Sequence, residues 1–162
     1  YAPIQLSRYV TTVANSGTCY DLTLIDQVKD VNGNVILDNH AKVRNKVNIA
    51  NSTWKAVHNG MYRVVNGSRS SIGSMFSGMK VKIAGKTGTA QQSKLHANHA
   101  YFVSYAPYKN PEISVTCVIP NGFTSSNAAH TARDVYKYYF SKNKKKVSGK
   151  IKMPESNTTH TD

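Results

Sequence analysis

The residues of this chain best suited to chemistry are the four consecutive positions Lys86, Thr87, Gly88 and Thr89. The lysine ammonium supplies positive charge, and the two threonine hydroxyls supply directional hydrogen bonds. The glycine removes a side chain where a ligand has to approach the backbone. Together these groups predict a carboxylate-binding site built along the edge of a strand.

The residues just before this tetrapeptide predict the strand that positions it. Residues 80–83 alternate between lysine and an aliphatic side chain, and Ala84 continues the apolar series. Such alternation is typical of a half-buried strand whose lysines face solvent. Gly85, like Gly88, would leave room for a ligand's backbone beside the strand. We therefore expect a strand that begins at about residue 81 and carries the binding groups further along.

Apolar periodicity along the rest of the chain predicts a mixture of α-helices and β-strands. Helices are predicted over 3–15, from 51 or 52 to about 65, in a short turn at 72–79, and from 125 or 126 to about 139. Further strands are predicted over 19–25, 28–31, 35–37, 100–105 and 113–119. The short link between the last two makes them antiparallel neighbours, and Asn32-Gly33 predicts a tight hairpin turn.

Two pairs of capping residues and one internal glycine refine the helix predictions. Asn51 or Ser52 is expected to cap the second long helix, and Ser125 or Ser126 is expected to cap the last one. Gly60 lies inside the second long helix, where glycine costs roughly 1 kcal/mol relative to alanine. That cost predicts a position where the helix packs closely against a neighbour.

Four segments, in one order, make the chain resemble the C-terminal half of the transpeptidase domain of class B penicillin-binding proteins. They are the aromatic-x-Pro-x-Gln-Leu helix start at 1–6, the Gly-Met segment at 60–65, the Lys-Thr-Gly strand, and the two strands with their turn at 100–113. The resemblance covers residues 1–140 and is closer to the elongation-type than to the division-type branch. It implies the C-terminal portion of the penicillin-binding/serine β-lactamase-like transpeptidase fold. That fold is of the α+β class, an antiparallel sheet flanked by helices, with the final helix packed on one face.

The function that the resemblance implies is that of a peptidoglycan D,D-transpeptidase, which cross-links stem peptides through a serine acyl-enzyme and binds β-lactam antibiotics. Lys86 and Thr89 would have the catalytic roles. Lys86 would place charge at the substrate carboxylate, and the Thr89 N–H would form half of an oxyanion hole. The Thr87 and Thr89 hydroxyls and Gly88 would complete the substrate-binding strand. The resemblance implies no cofactor and no metal.

The nucleophile that such chemistry requires is not expected within this chain. Three S-x-x-K strings begin at Ser52, Ser77 and Ser141. A chain so rich in serine and lysine produces such strings by chance. An S-x-N string at Ser125 follows Lys86, whereas the family places it before the Lys-Thr-Gly strand. We therefore expect the catalytic serine upstream of Tyr1, in a remainder of the domain that would pack against this chain, and we expect this part alone to be inactive.

Charge and hydropathy bear on partners and location. The formal net charge is +13, and residues 141–162 are lysine-rich and poor in apolar side chains, which predicts a basic, disordered tail. The sequence contains no run of about 18 apolar residues. The resemblance therefore implies an anchor outside this chain, at the extracytoplasmic face of the bacterial cell membrane. It also implies a glycan polymerase and other wall-synthesis membrane proteins as partners.

Two other functions stay open on sequence alone: a β-lactamase or β-lactam-sensing domain, and a basic module that binds nucleic acid, with aromatic rings from 136–140. No nucleic-acid fold signature supports the second, so no nucleic-acid partner is expected.

His96 and His99 form an H-x-x-H pattern, but no cysteine or carboxylate lies close in sequence to complete a metal site. Cys19 and Cys117 could be bridged outside the cytoplasm, although their spacing does not require it.

Overall fold

The computed structural model describes residues 2–92 and 94–141. The α-helices of that part of the chain are α1 (Pro3–Ala14), α2 (Asn51–Asn66) and α3 (Ser125–Tyr139). Its strands are β1 (Thr18–Tyr20), β2 (Gln27–Lys29), β3 (Val35–Asp38), β4 (Val43–Lys46), β5 (Ala84–Ala90), β6 (His99–Ala106) and β7 (Ile113–Ile119). A short 3-10 helix over Gly73–Phe76 lies between α2 and β5. Among these residues no helix has the length and apolar content needed to cross a membrane.

The core of the fold is a three-stranded antiparallel sheet in the order β5-β6-β7. Side chains alternate along β6, so Phe102 and Ser104 point to one face of the sheet and Tyr105 points to the other. α3 covers the first face, where the hydroxyl of buried Tyr136 donates a 2.9 Å hydrogen bond to Ser104 Oγ. The predicted α+β architecture, with the final helix packed on one face of the sheet, is confirmed.

The opposite face of the sheet is covered by α1. Buried Val10 packs with Tyr105 and with Ala84 of β5, and Thr11 Oγ1 lies 2.9 Å from Ser114 Oγ of β7. These contacts hold the middle of α1 against all three strands. They also fix where the first turn of α1 lies relative to the strand that carries the candidate site.

Two small two-stranded sheets connect α1 to α2, with β1 pairing with β4 and β2 pairing with β3. The predicted turn at Asn32-Gly33 is confirmed, because Gly33 has a φ of +88° and Asp30 Oδ1 accepts hydrogen bonds from the N–H groups of Asn32 and Asn34. Hydrogen bonding to Asn34 holds the pKa of Asp30 below its usual range. The sequence does not predict β4, because its central residues are polar and lack the alternation that indicates a strand.

Two predicted strand boundaries are wrong for reasons visible in the hydrogen bonds. The strand predicted over 19–25 ends at Tyr20, because the Thr23 hydroxyl bonds to the backbone of Ile25 and forms a local turn. β5 begins at Ala84 rather than near residue 81. The Ile83 carbonyl accepts a hydrogen bond from the Asn66 side chain. The Lys82 carbonyl accepts one from the Tyr108 N–H. These groups are therefore not available to a neighbouring strand.

The helix details also differ from prediction. The N-cap of α2 is Ala50, which makes no side-chain cap, so neither Asn51 nor Ser52 has that role. The N-cap of α3 is Thr124, whose hydroxyl accepts from the N–H of Ser126. A Cβ built on Gly60 would meet no atom within 4 Å, so the prediction of close packing there is wrong.

Both cysteines are free thiols in the structure, Cys19 being buried and Cys117 half-buried. Burial raises the pKa of the Cys117 thiol, although a hydrogen bond with Thr131 partly offsets this. A neutral thiol packed in a sheet is a structural group rather than a nucleophile. The predicted basic tail at 141–162 lies outside the described residues except for Ser141.

We predict that Tyr136→Phe lowers the free energy of unfolding by about 1 kcal/mol, because it removes the buried hydrogen bond to Ser104. Burial also raises the pKa of Tyr136. Its neutral form therefore contributes stability that is fully present below the unfolded-state pKa of about 10 and is lost as the pH rises further. Urea unfolding measured from pH 7 to 11 should show a shallower alkaline loss in the variant. Tyr138→Phe is the control, because Tyr138 is 72% exposed, and equal effects of the two substitutions would contradict this account.

Candidate functional site

The candidate site lies on β5, an edge strand of the central sheet. Among the described strands β5 pairs only with β6, so its other edge has no strand partner. The strand starts in the core, where Ala84 and Gly85 are buried, and then emerges. Lys86 and Thr89 are exposed, and the residues between them are half-buried. The predicted binding groups therefore occupy the emerging part of a strand whose beginning is fixed in the core.

The four predicted site residues project to two different faces of the sheet. Thr87 and Thr89 lie on the face covered by α3, whereas Lys86 and Gly88 lie on the face covered by α1. A ligand resting on either face would reach only half of this set. A ligand lying along the free edge of β5 can reach the lysine, both hydroxyls and the backbone together. The geometry thus favours an extended ligand that follows the strand edge.

The Lys86 ammonium lies against the strand, with Nζ donating a 2.8 Å hydrogen bond to the carbonyl oxygen of Thr87. Within the described part of the chain this ammonium forms no ion pair with a carboxylate. A lysine with remaining donors and no acidic partner is suited to bind an anion at this point.

A cleft of about 310 Å³ lies beside this lysine, and we call it the strand cleft. It is lined by Leu6, Lys86, Thr87, Gly88, Tyr101 and Val103. Leu6 comes from the first turn of α1, which is why the packing of α1 on the sheet matters for the site. Sequence reasoning did not single out Leu6, Tyr101 or Val103, because their position at the cleft depends on helix packing and on strand register.

The two glycines of β5 serve different purposes. A Cβ on Gly85 would lie 2.6 Å from Cζ of Phe102, so this glycine is required by packing against β6. The prediction that Gly85 leaves room for a ligand is therefore wrong. A Cβ on Gly88 would lie 3.3 Å from Cβ of Tyr101, and Gly88 also lines the strand cleft.

None of the serines considered as a nucleophile lines the strand cleft. Ser52 lies in the exposed first turn of α2, Ser77 follows the 3-10 helix, and Ser141 follows α3. Ser125 opens α3 on the other side of the sheet from Lys86. These serines therefore lie outside the strand cleft.

The two histidines of the H-x-x-H pattern, His96 and His99, differ in their surroundings. His99 Nδ1 accepts a 3.0 Å bond from the N–H of Asn121, and His99 Nε2 lies 2.9 Å from Gln92 Oε1. His99 therefore joins the segment after β5 to the segment after β7, while His96 is exposed. Within the residues that the structure describes, no three histidine, cysteine, aspartate or glutamate side chains form a group able to hold a metal.

The family model for the penicillin binding protein transpeptidase domain matches residues 1–137. The chain belongs to this family. The family assignment confirms the resemblance drawn from the four sequence segments.

Relatives with known names lie in the class B branch that the sequence segments indicated. Penicillin-binding protein 2B of Streptococcus pneumoniae is 34% identical over 86% of this chain, which spans 22% of that protein. Penicillin-binding protein 2A of Bacillus subtilis is 31% identical over the whole chain, which spans 26% of that protein. The peptidoglycan D,D-transpeptidase MrdA of Haemophilus influenzae is 40% identical over 54% of the chain. The chain thus spans about a quarter or less of the length of these relatives.

Solved structures agree on the fold. Penicillin-binding protein 2B from Streptococcus pneumoniae strain R6 superposes with a TM-score of 0.72 at 31% identity, covering 88% of this chain and 26% of that one. An imipenem acyl-enzyme of penicillin-binding protein A from Mycobacterium tuberculosis superposes with a TM-score of 0.74 at 21% identity, covering 86% of this chain. The second likeness supports the transpeptidase fold alone.

We predict that Gly85→Ala destabilises the fold by roughly 1 to 3 kcal/mol, because the new methyl group overlaps the Phe102 ring. Gly60→Ala is the matched control, since it adds the same methyl group where no atom lies within 4 Å. On an open helix position this change should stabilise by up to about 1 kcal/mol. Urea unfolding of both variants tests the assignment, and equal effects of the two substitutions would show that the β5–β6 contact is not tight.

Proposed function

We propose that the complete protein containing this chain is a peptidoglycan D,D-transpeptidase, in which this chain supplies the Lys-Thr-Gly strand and another part of the domain supplies the serine. The observation that carries the proposal is the solvent-accessible Lys86-to-Thr89 segment of β5, a strand that is held in the core at its beginning and has no strand partner at its other edge among the described residues. The H. influenzae relative carries the name peptidoglycan D,D-transpeptidase. A Pseudomonas aeruginosa PBP2, solved in complex with WCK 5153, is 30% identical. Both likenesses support the proposal.

The reaction proceeds by acyl transfer in two steps. A serine hydroxyl loses its proton to a base and attacks the carbonyl between the two terminal D-alanines of a stem peptide. The C–N bond breaks, the terminal D-alanine leaves with a proton on its amine, and an ester to the serine remains. An amine from a second stem then attacks this ester, forming the new amide and returning the proton to the serine. β-Lactams enter the first step and stop at the ester.

The residues of β5 act on the substrate rather than on the nucleophile. Lys86 supplies positive charge at the terminal carboxylate, and the hydroxyls of Thr87 and Thr89 donate hydrogen bonds to it. The Thr89 N–H supplies half of an oxyanion hole, whose loss in comparable sites costs about 3 to 4 kcal/mol of transition-state stabilisation. Extended peptide along the free edge of β5 adds backbone hydrogen bonds.

The cellular setting follows from the same proposal. The protein acts in bacterial wall synthesis, which the name peptidoglycan D,D-transpeptidase of the H. influenzae relative supports, at the extracytoplasmic face of the membrane. Its anchor lies outside this chain, and a glycan polymerase with other wall-synthesis membrane proteins are its partners.

The rate at which the acyl-enzyme is hydrolysed separates this function from that of a β-lactamase, because a transpeptidase releases penicillin slowly.

We predict that Lys86→Ala in the complete protein slows acylation by a fluorescent penicillin at least about tenfold, equivalent to about 1.4 kcal/mol. The cause is the loss of the charge that interacts with the antibiotic's carboxylate. Lys80→Ala is the control, because Lys80 is also exposed but precedes the strand. Acylation at the wild-type rate in a folded Lys86→Ala protein would remove this lysine from the mechanism.

We predict that a triple substitution of Ser52, Ser77 and Ser141 by alanine leaves the rate of penicillin acylation of the complete protein within about twofold of wild type. None of these serines lines the strand cleft, so none should carry the acyl group. Mass spectrometry of the labelled wild-type protein gives the complementary result, which is an acylated peptide outside residues 1–162. Label on any of the three serines would show that the nucleophile lies within this chain.

A further inference from the structure

A second cleft, of about 600 Å³, opens beside the candidate site, and we call it the arginine cleft. The residues of its lining that matter here are Gly60, Arg63, Ser68, Arg69, Ser71 and Thr87. Thr87 lines both this cleft and the strand cleft, so the two clefts share one wall. A ligand in the arginine cleft would therefore lie next to a ligand held by Lys86 without displacing it.

The loop that closes the arginine cleft is held against the end of α2. The N–H of Gly67 donates to the carbonyl of Arg63, and the N–H of Ser70 donates to the carbonyl of Gly67. The Ser70 hydroxyl donates to the carbonyl of Val64. These bonds fold the loop back over the last turn of the helix. They bring Arg69, which follows α2, to the same cleft as Arg63, which belongs to it.

This cleft carries positive charge that no acidic residue of the described chain offsets. Arg63 and Arg69 are both exposed, no acidic residue lines the cleft, and neither guanidinium forms an ion pair with another described residue. Two other arginines, Arg44 and Arg133, do pair with aspartates. Two unpaired guanidiniums with nearby serine hydroxyls provide the planar, multiple donors that bind carboxylates in two-point contacts.

Gly60 gives an independent indication that the cleft is kept open. It lies within α2, where glycine costs roughly 1 kcal/mol relative to alanine. Its conformation does not require glycine, because its φ is not positive. Packing does not require it either, since a Cβ would meet nothing within 4 Å. What the missing side chain does provide is free space in the wall of the arginine cleft.

We propose that the arginine cleft binds a carboxylate of the second stem peptide, the one whose amine accepts the acyl group. This inference rests on the proposed function. The first stem's terminal carboxylate belongs at Lys86, along the free edge of β5, so a second anion site that shares Thr87 serves the second peptide. Binding there holds the accepting peptide beside the edge at which the ester forms, which raises the effective concentration of its amine.

The test uses the complete protein and two accepting peptides that differ only in charge. One carries free carboxylates, and the other has them converted to primary amides. We expect wild type to have a KM for the free acid about tenfold lower than for the amide. In Arg63→Gln/Arg69→Gln the two KM values should become equal, with the change arising in the free acid alone. Arg63→Lys/Arg69→Lys should restore part of the preference, because charge returns without the two-point geometry.

Two further variants separate ligand binding from a structural effect. Gly60→Leu should raise the KM for the free acid by filling the cleft, whereas Gly60→Ala should raise it much less. Lys55→Gln, which removes an exposed charge from the same helix outside the cleft, should keep the preference for the free acid. Equal losses for acid and amide peptides in the double arginine variant would mean a structural role for the arginines and would overturn the proposal.

Acylation by penicillin, in which no accepting peptide takes part, is measured on every variant as the reference. A wild-type protein that penicillin does not acylate would contradict the proposed function itself. A wild-type protein that is acylated and cross-links, but shows no preference for the free acid, would contradict only the present inference. Loss of penicillin acylation in the double arginine variant would assign the cleft to the first peptide and would also overturn it.

Discussion

The pairing of β5 with β6 on one side only is the constraint on which the candidate site depends. Seven residue pairs, from Ala84 opposite Tyr105 to Ala90 opposite His99, join the two strands. This ladder fixes the backbone of the site, while the opposite edge of β5 has no strand partner among the described residues. A free strand edge is ordinarily a liability for aggregation. In the proposed function it is also the feature that a substrate with an extended backbone needs.

The rigidity of that edge comes from the layers behind it. Gly85 lets β5 lie against the Phe102 ring, and the Tyr136 hydroxyl joins α3 to Ser104 in the same sheet. On the other face α1 packs through Val10 and brings Leu6 to the strand cleft. Burial raises the pKa of Tyr105, another residue of this packed core, to about 12. The site residues are therefore exposed or half-buried groups on a well-packed support, which is the arrangement that preorganised binding requires.

Much of this could be predicted from the sequence because its signals are local. The Lys-Thr-Gly segment, the apolar alternation of the sheet strands and the Asn32-Gly33 turn each depend on a few neighbouring residues. The reason for Gly85 could not be predicted, because it depends on which β6 residue lies opposite. The arginine cleft combines Arg63 on a helix with Arg69 in a loop folded back on it, so it too depends on tertiary hydrogen bonds. The open space around the Cβ position of Gly60 likewise depends on tertiary packing, which no sequence pattern indicates.

A crystal structure of the complete protein acylated by a penicillin would test the role of β5 most directly. We predict that the antibiotic's carboxylate lies within hydrogen-bonding distance, about 2.7 to 3.2 Å, of the Thr87 or Thr89 hydroxyl and close to Lys86 Nζ. The ester carbonyl oxygen should accept a hydrogen bond from the Thr89 N–H, with the ligand lying along the free edge of β5. An acyl-enzyme whose carboxylate and carbonyl oxygen both lie away from β5 would contradict the proposed role of this strand.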